Sequence, residues 1–200
     1  NIMFALVESG SITKMLNGRR GITIGDIQHP QQIFTLWTEA ERNAIGIYTV
    51  EMDESKKKDE RWYINTDITY AFSGGKVTGS YGDATARAHA DTNKKDEDGN
   101  DLDPVVVILG LKSQLISDVK ATAANELNKT DWYVVRKTEE STAIPSAVTT
   151  HRRAVRSKAA AMETSITNAS NTPALETLYT YTEQEDGTYT RPIGELPTLE

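Results

Sequence analysis

The second half of the chain contains two stretches in which apolar residues recur three and four positions apart. This spacing is the period of one face of an α-helix, and both stretches are long enough to be helices rather than strands. The sequence therefore predicts two helices that fold back on each other within residues 104–170. The first face consists of Ile108, Leu111, Leu115, Val119, Ala123 and Leu127. The second consists of Val148, Val155, Ala159, Met162 and Ile166, with a gap of seven after Val148.

The segment between the two faces centres on the sequence Thr130-Asp131-Trp132-Tyr133-Val134-Val135-Arg136. Residues 129–144 are too few and too rich in β-branched side chains to predict a third long helix. We expect Trp132 and Tyr133 to pack between the two helices at the bend, since large aromatic side chains bury well there.

The first half of the chain carries short patterns that are typical of strands, rich in β-branched and aromatic residues. Strands are predicted at residues 21–27, 45–50, 61–72 and 76–81, and Gly74-Gly75 predicts the turn of a hairpin. Residues 8–18 are predicted to form a loop. Residues 31–43 predict one covering helix, although Thr38-Glu39-Ala40-Glu41 leaves open a turn followed by a second short helix.

These elements predict an α+β fold. It has a small N-terminal antiparallel sheet with one helix, then a two-helix antiparallel hairpin and a C-terminal β-hairpin. The predicted boundaries are 1–82 for the β-rich domain, 83–103 for an acidic linker, 104–170 for the helical hairpin and 171–200 for the C-terminal hairpin and tail. Strands are expected at residues 178–182 and 188–191, because Asp186-Gly187 between them is a strong turn signal.

Composition narrows the classes of partner. The 200 residues carry 29 acidic and 22 basic side chains, a net charge of −7, which disfavours general binding to nucleic acid. The chain has no cysteine, so it needs neither disulfides nor thiolate metal sites. No apolar run approaches the ~20 residues of a membrane span, and the longest covers residues 105–109. We therefore expect neither nucleic acid nor a membrane as partner.

The sequence contains no recognisable catalytic motif. The histidines His29, His89 and His151 lie far apart in different predicted elements, so no metal site is predicted. Gly74-Gly75-Lys76 lacks the remaining positions of a phosphate-binding loop. The acidic run 96–103 lacks the ligand spacing of a calcium loop. We predict no catalytic, cofactor-binding or metal-binding residue, and no enzyme activity.

The only dense basic patch is Arg152, Arg153, Arg156 and Lys158. Arg152 and Arg156 are four positions apart and share a helix face. We expect these side chains to be solvated, or to pair with Glu139, Glu140 or the carboxylates of a partner.

Two sets of residues carry a resemblance to known proteins. In the second half they are Thr130-Asp131-Trp132-Tyr133-Val134-Val135-Arg136-Lys137, Glu139, Ile144-Pro145 and Arg152-Arg153-Ala154-Val155-Arg156. In the first half they are His29-Pro30, Leu36-Trp37-Thr38, Glu41-Arg42, Ala44-Ile45-Gly46-Ile47 and Arg61-Trp62-Tyr63. Over residues 21–166 the chain resembles the tail-accessory proteins of bacteriophages, a group that includes tail fibre assembly chaperones and similar virion proteins.

The resemblance implies a structural protein of a phage tail, located at the baseplate, the fibre-attachment point or the tail tip. Such a protein would pack against other tail proteins and copies of itself as a homo-oligomer, in the virion, after synthesis in the host cytoplasm. Trp132 would wedge the helical hairpin, and Arg136, Arg152 and Arg156 would be the polar groups that fix a partner. The residues predicted to bind a partner are therefore Trp132, Arg136, Arg152 and Arg156. A transient tail fibre assembly chaperone is the main alternative, and a cell-surface hydrolase is a third.

Overall fold

The computed structural model describes residues 2–199 and divides the chain into two compact units, Asn1–Thr85 and Ala86–Glu200. The class is α+β in general, but the simple arrangement predicted from the sequence is wrong. The sheet of the first unit is mixed, and six helices occur where three were predicted.

Five strands of the first unit form a curled sheet in the order β2-β1-β5-β8-β7, whose edge strands β2 and β7 approach each other. A separate hairpin joins β3 to β4. The strands up to the boundary of the units are β1 (Phe4–Glu8), β2 (Ser11–Leu16), β3 (Ile22–Ile24), β4 (Ile27–His29), β5 (Ile47–Asp53), β6 (Tyr63–Ile64), β7 (Ile68–Ser73), β8 (Lys76–Tyr81) and β9 (Thr85–Ala86).

The predicted all-antiparallel sheet is wrong because β8 inserts between β5 and β7. The predicted hairpin at Gly74-Gly75 is present, with Phe72 opposite Val77. The second arm of that hairpin then pairs with β5 in the parallel sense, with Val50 opposite Val77. The predicted loop at residues 8–18 is also wrong, since β2 pairs antiparallel with β1 there. Half of the six residues of β2 are polar and exposed, and they do not alternate regularly with the apolar ones.

Two short helices replace the single predicted one, α1 (Ile33–Leu36) and α2 (Glu39–Ala44). The chain is extended at Trp37, and Thr38 then caps α2. The Thr38 hydroxyl accepts a hydrogen bond of 3.2 Å from the N–H of Glu41, whose carboxylate accepts one of 2.8 Å from the N–H of Thr38. This capping box satisfies two N–H groups at once, so a second helix starts here. The buried core of this unit comprises Phe4, Leu6, Ile22, Ile33, Phe34 and Ile47.

The second unit is built on two long helices that run antiparallel, α3 (Leu111–Asn128) and α5 (Ser146–Asn168). Their contact buries most of the two faces predicted from the spacing, namely Leu111, Leu115, Val119, Ala123, Val148, Val155, Met162 and Ile166. Leu127 and Ala159 are only half-buried, and Ile108 lies outside the helix with 52% of its surface exposed. The remaining strands are β10 (Thr92–Asn93), β11 (Val107–Ile108), β12 (Thr182–Glu183) and β13 (Tyr189–Thr190).

The predicted two-helix hairpin is interrupted and extended by two further helices, α4 (Asp131–Glu140) and α6 (Thr172–Tyr179). Helix α6 begins in the segment 171–200, for which only a β-hairpin and a tail were predicted. It starts there because the Asn171 side chain accepts a hydrogen bond of 2.9 Å from the N–H of Ala174 and Pro173 fits the first turn. The strand predicted at 178–182 is therefore wrong in its first residues. The C-terminal hairpin is present, but each of its strands has only two residues.

Within residues 2–199, no helix combines the length and the apolar character that a membrane crossing needs.

Candidate interaction surface

Helix α4 contains no buried residue, although it carries Trp132, Val134 and Val135. Trp132 is 52% exposed, Val135 is 53% exposed and Val134 is 40% exposed. A ten-residue helix without a buried face gains little from packing and is marginal on its own. We call Trp132, Tyr133, Val134, Val135 and Arg136 the α4 surface.

Two aromatic rings of the α4 surface stack on each other, and an arginine side chain lies over both. The rings of Trp132 and Tyr133 lie 3.8 Å apart between centroids, at an interplanar angle of 28°. The Arg136 guanidinium lies 4.9 Å from the Trp132 ring and 5.4 Å from the Tyr133 ring. Its Nε is shielded from solvent without a hydrogen-bond partner. Trp, Tyr and Arg side chains together are typical of the energetic centre of a protein interface.

The prediction that Trp132 wedges the helical hairpin is wrong. Apolar contacts between α3 and α5 fill the hairpin without the indole. At the bend itself, the position expected for the indole is taken by the Arg152 guanidinium. Arg152 donates hydrogen bonds of 2.8 Å to the carbonyl of Leu127 and to the hydroxyl of Thr130, and its Nη2 lies 2.9 Å from Asp131 Oδ1. The Arg152 side chain thus fastens α5 to the joint between α3 and α4.

A second buried polar contact lies one turn below this joint. The carboxylate of Glu126 on α3 is held between the Nε2 of His151, at 3.1 Å, and the ammonium of Lys129, at 2.7 Å. The pKa of Glu126 lies below its ordinary value, chiefly because the carboxylate accepts the hydrogen bond from Lys129, while burial opposes the shift. Both carboxylate oxygens are therefore occupied by cationic or imidazole partners on the protein itself.

Of the four residues predicted to bind a partner, the structure places Trp132 and Arg136 together on the α4 surface. Arg152 lies buried at the base of the same helix, with its guanidinium against the carboxylate of Asp131. Arg156 is exposed on α5, and no carboxylate in residues 2–199 forms an ion pair with it. The expected pairing of this patch with Glu139 or Glu140 does not occur among the described residues.

A second exposed apolar feature precedes α3. Residues 105–109, which we call the apolar ribbon, are Val-Val-Val-Ile-Leu, and each is between 44% and 58% exposed. Only β10 pairs with the strand β11 of this ribbon among residues 2–199, so its other edge is open. An exposed apolar strand edge is a ready surface for another protein chain.

Two hydrogen bonds to Asp91 fix the chain directly after the apolar ribbon. The Asp91 carboxylate accepts hydrogen bonds of 2.8 Å from the N–H of Gly110 and 2.7 Å from the hydroxyl of Ser113. The hydrogen bond from the Ser113 hydroxyl lowers the pKa of Asp91 most, and the one from the N–H of Gly110 lowers it further. Because Gly110 is the N-cap of α3, the ribbon is tied directly to the start of that helix.

The second unit also has a half-open cleft of about 250 Å³, lined by Val119 and Glu126 of α3, Met162 of α5, and residues of the C-terminal segment. Ile193 anchors that segment, being buried and donating its N–H to the carbonyl of Leu178 at 3.1 Å. Across the described residues, no three His, Asp or Glu side chains come together to hold a metal ion.

The buried contact between Glu126 and His151 was not predicted from the sequence, although the spacing of the helix faces indicates it. Glu126 follows Ala123 by three positions on the buried face of α3. His151 and Arg152 fill the gap of seven residues between Val148 and Val155. Polar residues at buried positions of a helix face indicate a buried polar contact. The apolar ribbon was recognised as an apolar run, but its exposure depends on what packs beside it.

No protein-family model, curated protein or solved structure matches this chain.

Proposed function

We propose that this chain is a structural component of a bacteriophage tail, at the baseplate, the fibre-attachment point or the tail tip. It would act by packing against copies of itself and against other tail proteins. The assignment to a phage tail rests on the resemblance carried by Thr130-Asp131-Trp132 and the residues quoted with it.

The observation that carries a packing role is the apolar surface of the second unit. All five residues of the apolar ribbon and three residues of the α4 surface are at least 40% exposed. Exposed apolar patches on a folded chain mark sites where another molecule binds. In a large assembly, neighbouring subunits would cover both the apolar ribbon and the α4 surface.

The proposal assigns no reaction to the chain. The buried carboxylate of Glu126 has both oxygens engaged by Lys129 and His151, and it serves to hold α3 against α5. Hydrolysis of host cell-wall material by the purified chain would contradict this part of the proposal.

Mass spectrometry of purified particles of the phage that encodes the chain tests the structural role. We expect the chain in intact virions, at a constant ratio to the other tail proteins. A phage protein that acts only during replication serves as the control for contamination. Absence of the chain from intact virions would overturn the proposal.

A transient assembly chaperone for a tail fibre is the second candidate, and the exposed α4 surface favours it to the same degree, since a client segment could cover it. The chaperone would be found bound to fibre protein in infected cells but not in finished particles. The same mass spectrometry, applied to both samples, separates the two functions.

A further inference from the structure

We infer that copies of this chain associate head to tail, with the α4 surface of one copy packed on the apolar ribbon of the next. The inference rests on the proposed packing role and specifies which surfaces meet and with what symmetry. The occupant of each exposed surface is therefore a second copy of the chain itself.

The first argument is the distance between the two surfaces. The apolar ribbon ends at Leu109, next to Gly110, the N-cap of α3, and α4 begins at Asp131, shortly after the end of α3 at Asn128. Helix α3 has 18 residues and is roughly 27 Å long. The two surfaces therefore lie at opposite ends of one straight element, and neither can cover the other within a copy.

The second argument is that both surfaces need the same kind of cover. The apolar ribbon presents an open strand edge with five apolar side chains. Helix α4 presents Trp132 and Val135, three positions apart and so on one face, each with more than half of its surface exposed. A helix laid on a strand ribbon is one of the basic layer contacts of proteins, and here it would bury both patches at once.

The third argument is charge. The segment 91–103, which leads to the apolar ribbon, has six acidic residues against two basic ones. In the segment 129–156, which contains α4, Lys129 and Arg152 are already paired with Glu126 and Asp131. This leaves four basic side chains, Arg136, Lys137, Arg153 and Arg156, against the two acidic ones of Glu139 and Glu140. The cations of Arg136, Arg153 and Arg156 form no ion pair within residues 2–199. Opposite charges around two apolar patches favour contact between unlike surfaces and oppose contact between like ones.

Head-to-tail contact has a consequence for assembly. If two copies met through the same surface, that surface would be buried and the other left exposed. Contact between unlike surfaces covers both on every internal copy, and it produces a ring if the rotation closes or a filament if it does not. Either product suits a subunit of a repeating tubular or ring-shaped particle.

Two surface variants test the inference. Val107→Lys with Leu109→Lys removes apolar surface from the ribbon and adds positive charge opposite the basic α4 end. Trp132→Glu with Val135→Glu removes apolar surface from α4 and adds negative charge, which would face the acidic segment 91–103 of the next copy. Tyr189→Lys, at a position 64% exposed on the C-terminal hairpin, is the matched control. Far-UV circular dichroism checks that each variant folds.

Sedimentation velocity over a micromolar to millimolar range gives the state of each protein. We expect the wild type and Tyr189→Lys to form rings or filaments. We expect each surface variant to lose at least about tenfold in association constant, because it loses apolar contacts at the centre of the interface. An equimolar mixture of the two surface variants should form a heterodimer that does not grow further, since each still carries one intact surface.

Three outcomes would overturn the inference. The wild type could stay monomeric over the whole range. Only one of the two surface variants could lose association, which indicates contact between like surfaces. Both could lose it without any heterodimer in the mixture. A monomeric chain that is nevertheless present in virions would refute the head-to-tail contact and leave the structural role standing. A chain that associates head to tail but is absent from virions would refute the structural role and leave the head-to-tail contact standing.

Discussion

The guanidinium of Arg152 donates a hydrogen bond of 2.8 Å to the hydroxyl of Thr130, 22 positions earlier in the chain. The same side chain reaches the carbonyl of Leu127 and the carboxylate of Asp131. One buried arginine on α5 therefore fixes the end of α3, the turn that follows and the first residue of α4. The direction in which α4 leaves the helical pair depends on this contact.

We expect Arg152→Ala to lower the free energy of unfolding by about 2–4 kcal/mol, because the carbonyl of Leu127 and the Thr130 hydroxyl lose their charged donor in a buried place. Arg153→Ala, next to it but exposed, should change the free energy by no more than about 0.5 kcal/mol. Urea denaturation of both variants gives the comparison. Equal losses in the two variants would show that the joint does not depend on Arg152.

We expect Leu115→Ala to lower the free energy of unfolding more than Trp132→Ala, because Leu115 is buried and Trp132 is half-exposed. Leu115→Ala removes a side chain that is 4% exposed between α3 and α5, and should cost about 2–5 kcal/mol of unfolding free energy. Trp132→Ala should cost less than about 1 kcal/mol, because the indole is half-exposed. Thermal and urea denaturation measure both. A loss above about 3 kcal/mol for Trp132→Ala would mean that the indole is part of the core.

We expect Gly110→Ala to destabilise the second unit through a steric clash. A Cβ at this position would overlap the backbone of Ala90 and lie 2.8 Å from the carbonyl oxygen of His89. Forcing the two segments apart should cost about 1–3 kcal/mol. Gly187→Ala is the control, since its methyl group meets open space and only its left-handed φ of 81° is unfavourable. A smaller loss for Gly110→Ala than for Gly187→Ala would contradict the close contact between residue 110 and the segment before it.

The low pKa of Glu126 predicts a loss of stability in acid. The folded protein holds this carboxyl ionised below its ordinary pKa of 4.5, because Lys129 and His151 bind the carboxylate. The unfolded chain therefore binds more protons in this range, and the free energy of unfolding falls as the pH drops from about 4.5 through the lowered pKa. Above that range the contribution is fully present.

Urea denaturation between about pH 6 and pH 3 measures the effect as a difference between proteins. Glu126→Gln cannot ionise, so its free energy of unfolding should fall less steeply with acid than that of the wild type. Glu139→Gln, which removes an exposed carboxylate of α4, should keep the wild-type slope. Identical slopes for all three proteins would mean that Glu126 is not held as an ion in the folded state.

The positions of the two long helices follow from the sequence because local rules decide them. Four of the six positions predicted for the face of α3 are buried, from Leu111 to Ala123, and the spacing of three and four also identifies Val155, Met162 and Ile166 on α5. Capping boxes and hairpin turns are likewise local, which is why the alternative of a second helix after Thr38 and the turn at Gly74-Gly75 agree with the structure.

The parallel pairing of β5 with β8 could not be read from the sequence, since it joins residues such as Val50 and Val77 through contacts that no local pattern encodes. The site was predicted only in part for the same reason. Trp132 and Arg136 were identified by type, but whether an indole at a bend points inward or outward depends on what fills the bend. Here Arg152 fills it, because one guanidinium can bond the free carbonyl of Leu127, the hydroxyl of Thr130 and the carboxylate of Asp131 at once, whereas an indole has a single N–H donor.

By itself, the sequence determined where helices can form and which of their faces are apolar, because these depend on the side chains within a few turns. Only the tertiary structure decided that residues 105–109 and the α4 surface stay uncovered while a glutamate, a histidine and an arginine are buried. Burial is a property of the packed molecule: a side chain leaves water only if another element lies over it.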